Sequence, residues 1–220
     1  MCNLYSVTKG QQAIRELCRA MVDHTGNLPP MPTIFPDYPA PIVRNGPTGH
    51  ESERELVMAR WGMPSPQFAL VGKKTDPGVT NIRNTKSPHW RRWLGVEHRC
   101  LVPFTRFSEY EVRPDGRRLP VWFACEDHEL ACFAGIWTGW TSVRKLKEGQ
   151  VTCDLFGFLT TTPNEEVRAI HPKAMPVILT TPEACDTWLM APAPEALALQ
   201  CPLQDGALRI VERGETTRGV

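Results

Sequence analysis

The sequence predicts an α+β fold: a strand-rich, antiparallel, barrel-like sheet core with a few short flanking helices. Three observations lead there. From Arg99 to Thr162, apolar, β-branched and aromatic runs ("RCLVPF", "PVWFAC", "ELACFAGIW", "CDLFGFLTTT") are separated by turns such as "RPDGRR" and "KLKEGQ", the signature of consecutive hairpins. Helical periodicity is confined to short stretches around this block. Between Leu28 and Pro47 lie seven prolines, whose fixed φ angles and missing amide donors exclude a long helix.

Taken in order, "TKGQQAIRELCRAMV" predicts the first helix, with Thr8 and Gln11 as a capping box and Ile14, Leu17, Cys18, Met21 and Val22 on one face. The proline-rich stretch is expected to hug the surface, with a short strand at "PIVR", and "ELVMARWGM" predicts a strand. Residues Gly72 to Ser87 are polar and turn-rich and predict a loop. Ser87-Pro88 starts a short helix, "SPHWRRWL", with Trp90, Trp93 and Leu94 facing inward. After the hairpin block, Asn164 caps "EEVRAI", "MPVILT" predicts a strand, and Thr181-Pro182 opens a helix "PEACDTWLM". No internal repeat interrupts this order, so residues 1–220 are expected to form one domain.

At 220 residues the chain is long enough to bury a real core; 41% apolar and 22% charged residues are the balance of a soluble globular protein. A net charge of +1 excludes a globally basic nucleic-acid binder, so any polyanion site must be a local patch. No apolar run of about 18 residues marks a membrane span, and the amino terminus lacks the layout of a signal peptide. A cytoplasmic location and no membrane partner are therefore expected. The eight cysteines are scattered through apolar segments, which reads as free thiols in a reducing compartment. "CEDHELAC" lacks a fourth ligand at zinc spacing, so neither a metal nor another cofactor is expected.

Four polar features sit where folding alone does not ask for them. Cys2, in "MCNLYS", becomes an amino-terminal cysteine if Met1 is removed. "TNIRNT" places Asn81 and Arg83 two apart, on one side of an extended segment. Glu109 lies in the aromatic-rich "FTRFSEYE", where a carboxylate is costly to bury without partners. Pro172 holds His171 out of helical geometry. Each has a plainer reading: a small core thiol, a turn asparagine, a surface glutamate paired with Arg106 or Arg113 and rivalled by Glu111, and a helix-end histidine.

Together these residues make a set that resembles the SRAP family, the SOS-response-associated peptidases known to crosslink abasic sites in DNA. "MC" opens the chain as in that family, "RWGM" matches its Trp-Gly after an early strand, and "TNIRNT" resembles its asparagine-x-arginine motif. "CLVPFTRFSEY" resembles its strand ending in a catalytic glutamate. "FLTTTPNEEVRAIHPKAMPVIL" resembles its threonine-rich strand, short helix, histidine and Met-Pro segment, and is the most specific match. The resemblance implies that Cys2 is the nucleophile once Met1 is gone, that Asn81 holds its amine or the lesion, and that Glu109 and His171 are the acid–base pair. It further implies that Arg83 meets a DNA phosphate, that Thr160 makes a polar contact to the strand near the lesion, and that Lys173 stands in for an arginine in the DNA groove. The implied partner is single-stranded DNA containing abasic sites, handled by a monomer that joins the nucleoid when bound to DNA, with a cysteine-dependent peptidase activity on its own amino terminus. Asn3-Leu4 replaces the family's usual Gly-Arg, "PDYPAP" stands where Tyr-Asn-x-Ala-Pro is usual, and the family's aromatic platform is absent from "WGMPSPQFA".

The chemistry explains why such a site asks for a terminal cysteine. An abasic sugar in its open form is an aldehyde; an α-amine attacks it to give a Schiff base, and the adjacent thiol closes a thiazolidine. A lysine would stop at the reversible imine. Reference pKa values of about 7.7–8.0 for the amine and about 8.5 for the thiol leave both partly reactive near neutrality, and one residue holds both in place. The main alternative is an amino-terminal-nucleophile hydrolase of the glutaminase type, which also exposes Cys2 but needs Gly-rich segments and an oxyanion hole. A zinc base deaminase lacks its His-x-Glu and Pro-Cys-x-x-Cys here. A non-catalytic binding module would function without the Cys2 thiol.

Overall fold

The computed structural model describes residues 2–46 and 53–214. Its first part runs β1 (Tyr5–Val7), α1 (Gln11–Cys18), β2 (Val22–Asp23), β3 (Met31–Ile34), β4 (Pro39–Arg44), β5 (Glu55–Trp61), α2 (Gln67–Leu70), β6 (Asn81–Ile82) and α3 (Pro88–Arg91). The hairpin block follows as β7 (Arg99–Phe104), β8 (Arg106–Val112), β9 (Arg118–Cys125), β10 (Ala131–Val143) and β11 (Gln150–Thr161). The remainder is α4 (Glu165–Arg168), β12 (Met175–Pro176), β13 (Ile178–Leu179), α5 (Pro182–Met190), α6 (Ala193–Ala198) and β14 (Leu208–Arg213).

The strands β5, β4, β7, β10 and β11 pair in that order, and β11 returns to β5 to close a barrel. The closing pair is parallel (Leu155 with Arg60, Phe156 with Trp61), as is the pairing of β6 with β11; the hairpins are antiparallel. A second sheet has the order β14-β9-β8-β1-β3. The chain crosses from barrel to second sheet at Thr105, between β7 and β8, where the Thr105 N–H donates to the Ser6 carbonyl at 2.7 Å. The expected strand-rich α+β architecture is thus what the chain adopts.

Aromatic side chains fill the space between the two sheets. Phe104 stacks on Phe133 with centroids 4.0 Å apart, and Phe133 lies 4.5 Å from Phe158. Tyr5 enters this group from β1, edge-on to Trp61 at 5.1 Å and to Phe133 at 5.7 Å. Such contacts contribute about 0.5–1.5 kcal/mol each beyond area burial. Their consequence here is positional: Tyr5, fully buried, pins β1 against the barrel three residues after Cys2. After β5, Gly62 has φ +139, and the Arg144 guanidinium occupies the space a Cβ there would need. The Gly62 N–H donates to Phe156 O at 2.7 Å, so this glycine lets the chain leave the barrel at the β5–β11 seam.

The first helix is shorter than its periodicity suggests. Its amino-terminal cap is Gly10, without a side-chain bond, and the Gln11 amide binds Asp23, Thr25 and Gly26 instead of completing a capping box. Arg19 takes the left-handed conformation (φ 53) and stops the helix, because Met21 and Val22 must turn to meet the Arg54 carbonyl. Met21 is consequently exposed. The stretch from 72 to 87 is largely loop but contains β6, a two-residue strand recruited by β11. Helices α2 and α6 and strand β14 also lay outside the sequence reading. The expected caps at Asn164 and Thr181 are present, each accepting a backbone N–H, and Trp90, Trp93 and Leu94 are buried as expected.

Among the described residues no helix is long and apolar enough to cross a membrane.

Candidate active site

Three elements meet at the amino terminus. The residues before β1 run along β8, where Ser108 N–H donates to Leu4 O at 2.9 Å. On the other side, β6 presents Asn81, whose Nδ2 donates to the Cys2 carbonyl at 2.8 Å and to Thr80 Oγ1 at 2.8 Å. The Thr80 hydroxyl in turn donates to Asn3 Oδ1 at 3.4 Å. Cys2 is fully buried, with Sγ 3.5 Å from Leu4 O.

Glu109 is buried on β8, the strand beside Cys2. Burial pushes its carboxyl up to about 7, the range in which a carboxylic acid can donate a proton at neutral pH. The surface pairing considered for it does not occur: Arg106 binds Glu212, and Arg113 binds Glu111. Burial also pushes the Cys2 thiol well above its ordinary range, and the Glu109 carboxylate adds to this. Half-buried Tyr110 is raised too, by burial and then by the nearby Cys2 and Glu109.

His171 follows α4, its N–H bonded to Val167 O at 2.7 Å. The segment then enters β12, which pairs with the end of β11 (Thr160 with Pro176, Thr161 with Met175). Because β6 pairs just before it (Phe158 with Asn81, Leu159 with Ile82), the Asn81 and His171 segments converge on the same end of β11. Partial burial lowers the His171 imidazole, and Lys173 acts in the same direction; at neutral pH the ring is uncharged and can accept a proton.

Arg83 and Lys173 are exposed, each two residues beyond Asn81 and His171 respectively. Thr160 is buried, and its hydroxyl donates to Ile82 O at 3.5 Å, so it braces β6 against β11. Met1 lies outside the described residues.

Two buried atoms of this group have no hydrogen-bond partner among the described residues: Asn81 Oδ1 and Ser108 Oγ. An unsatisfied buried acceptor or hydroxyl is costly, and here both sit beside a residue whose amine and thiol are the expected reactants. Sequence reasoning missed Ser108, Thr80 and Tyr110. Strand alternation puts Ser108 and Tyr110 on the face opposite Glu109, so the sequence offered no signal for them, and nothing in it singles out Thr80. Among the described residues no group of three or more His, Cys, Asp or Glu side chains is arranged to hold a metal.

Comparison with known proteins adds a second line of evidence. The chain is 30% identical over 131 residues to the abasic site processing protein YoaM of Bacillus subtilis (strain 168), covering 58% of this chain and 54% of the relative. It is 31% identical over 133 residues to the abasic site processing protein YoqW of the same organism, covering 59% and 55%. The chain thus spans about half the length of the curated relatives it matches. Among solved structures, a Bacteroides thetaiotaomicron protein superposes with a TM-score of 0.71 at 21% identity, covering 94% of this chain and 90% of that one. A Bordetella bronchiseptica protein gives 0.70 at 23% identity, with 96% and 100% covered. At these identities the two structures establish the shared fold. The profile of the family described as SOS response associated peptidase (SRAP) matches residues 1–213, and the chain belongs to that family.

Proposed function

We propose that this protein captures abasic sites in single-stranded DNA as a covalent thiazolidine on Cys2, after removal of Met1. The observation that carries the reading is the Asn81–Cys2 hydrogen bond at 2.8 Å beside a buried glutamic acid whose pKa is raised to about 7. It orients the residue whose backbone nitrogen becomes the reacting amine.

The Cys2 amine adds to the aldehyde carbon of the opened sugar, forming a C–N bond and a carbinolamine. Loss of the hydroxyl as water, with a proton from Glu109, leaves an iminium, whose N–H proton returns to the Glu109 carboxylate to give the imine. The Cys2 thiol then adds to the imine carbon, forming the C–S bond and closing the ring, while its proton passes to the nitrogen. One water leaves overall and nothing is oxidised or reduced. Neutral His171 accepts and returns the proton of the sugar hydroxyl during ring opening, the role a base with a lowered pKa suits. Asn81 Oδ1, unpartnered among the described residues, is the acceptor for an N–H of the amine or for the lesion's hydroxyl. Arg83 and Lys173 hold the phosphates on either side, and an unpaired strand presents its lesion without a flipping cost. Thr160 serves by bracing β6.

The peptidase in the family's description is read here as the cut that frees Cys2 from Met1, although the small Cys2 side chain equally suits a methionine aminopeptidase. The test is incubation with single-stranded DNA carrying one abasic site, read on a denaturing gel. A heat-stable shifted band, absent for Cys2→Ala, is expected. Correctly processed protein that forms no band refutes the reading, and glutaminase activity dependent on Cys2 would replace it with the hydrolase alternative.

A further inference from the structure

Strand β6 ends at Ile82, yet the chain beyond it stays fixed. The Arg83 carbonyl accepts from Gln200 Nε2 at 2.9 Å, and the same amide nitrogen donates to Thr160 O at 3.0 Å. Gln200 Oε1 accepts from the Thr85 hydroxyl at 3.1 Å, and the Gln200 main-chain carbonyl accepts from Thr161 Oγ1 at 3.2 Å. Gln200 is itself seated by its N–H on Leu197 O at 3.1 Å, at the end of α6. One side chain therefore bridges two backbone segments whose ladder has stopped. Both amide hydrogens go to main-chain carbonyls.

Arg83 makes no ion pair and no side-chain hydrogen bond among the described residues, so its guanidinium is aimed by its backbone alone. We infer that Gln200 is a positioning residue for DNA: it acts as a one-residue strand beyond β6 and sets the direction in which Arg83 meets a phosphate. The inference rests on the proposed capture of single-stranded DNA. It adds a residue from the chain's carboxy-terminal part, far in sequence from every group assigned above.

The probe is a fluorescent single strand carrying a tetrahydrofuran abasic analogue, which lacks the aldehyde and binds without crosslinking. Gln200→Leu removes the donors, and Gln200→Glu keeps the shape but cannot donate to the two carbonyls. Both are expected to weaken binding about tenfold at low salt. Both should also flatten the slope of log affinity against log salt by about 0.7, the loss of one phosphate contact on a single strand. Arg83→Ala should show the same flattening, and adding Gln200→Leu to it should weaken binding no further, since both remove one contact. A wild-type salt slope in a folded Gln200→Leu protein overturns the inference, as does full additivity with Arg83→Ala; a merely structural role predicts both. If Gln200→Leu does not fold, Thr85→Val, which removes only the hydroxyl seated on Oε1, must flatten the slope in smaller measure, and an unchanged slope overturns the inference. Wild-type protein that does not bind the probe refutes the proposed function instead. In that case amide hydrogen exchange at residues 83–86 still decides whether Gln200 fixes this segment, because the positioning predicts faster exchange there in Gln200→Leu.

Discussion

The side-chain amide of Asn81 donates to the Cys2 carbonyl at 2.8 Å, while its own oxygen is buried without a partner among the described residues. A two-residue strand thus holds Cys2, the proposed nucleophile, by its backbone and leaves one acceptor unused. Asn81→Ala is expected to slow crosslinking by about ten- to a hundredfold, the kinetic equivalent of one lost oriented hydrogen bond in a buried site. Asn81→Asp should be no better, because a carboxylate cannot donate to the Cys2 carbonyl. Single-turnover gel kinetics check this; wild-type rates in both variants remove Asn81 from the site.

The proposed role of Glu109 predicts a pH dependence of crosslinking. The reaction needs a neutral amine, which favours pH above about 8, and a protonated Glu109, which is lost as pH rises through about 7. A bell-shaped rate profile with its maximum between those values is expected, and Glu109→Gln should lack the alkaline limb set by Glu109 and run more slowly. An unaltered profile in that variant contradicts the assignment.

The same group should cost stability. Its folded value, about 7, lies above the ordinary 4.5. Below pH 4.5 both states are protonated and Glu109 favours neither. Between 4.5 and 7 the unfolded chain ionises first, so stability falls as pH rises, and above 7 the loss is complete, on the order of 3 kcal/mol. Glu109→Gln should therefore melt higher than wild type at pH 8 and about equally at pH 4, by thermal denaturation followed by circular dichroism.

Salt dependence tests the two exposed cations. Arg83→Ala and Lys173→Ala should each lower the slope of log affinity against log salt by about 0.7 for single-stranded DNA. Equal slopes in the variants and wild type would mean that neither touches a phosphate.

The cap before His171 is a stability test of the local build. Asn164 Oδ1 accepts from Val167 N–H at 3.2 Å at the start of α4. Asn164→Ala is expected to destabilise the fold by about 1 kcal/mol, measured as a shift in the urea midpoint.

Much of this was legible in the residues. The hairpin block reads directly from alternating apolar runs and turn residues, and β7 and α5 begin and end where their sequence signals do. Strand β6 was not legible, because its hydrogen bonds come from β11, more than seventy residues away in sequence, and nothing in "TNIRNT" reports that partner. Helix α1 failed at its ends for a similar reason: Gln11 and Arg19 answer to Asp23, Thr25 and the Arg54 carbonyl, not to helix propensity. Cys2, Asn81, Glu109 and His171, the residues of the proposed site, stand out in the sequence by type and motif. The burial of Glu109 and the bracing role of Thr160 depend on packing that only the folded chain supplies.

The most direct test is mass spectrometry of the protein after reaction with an abasic single strand and nuclease trimming. The predicted result is a single modified peptide that begins at Cys2, heavier by the trimmed sugar-phosphate remnant less one water, and resistant to thiol alkylation. Modification at a lysine, or an amino-terminal Cys2 peptide that stays unmodified and alkylates freely, would contradict it.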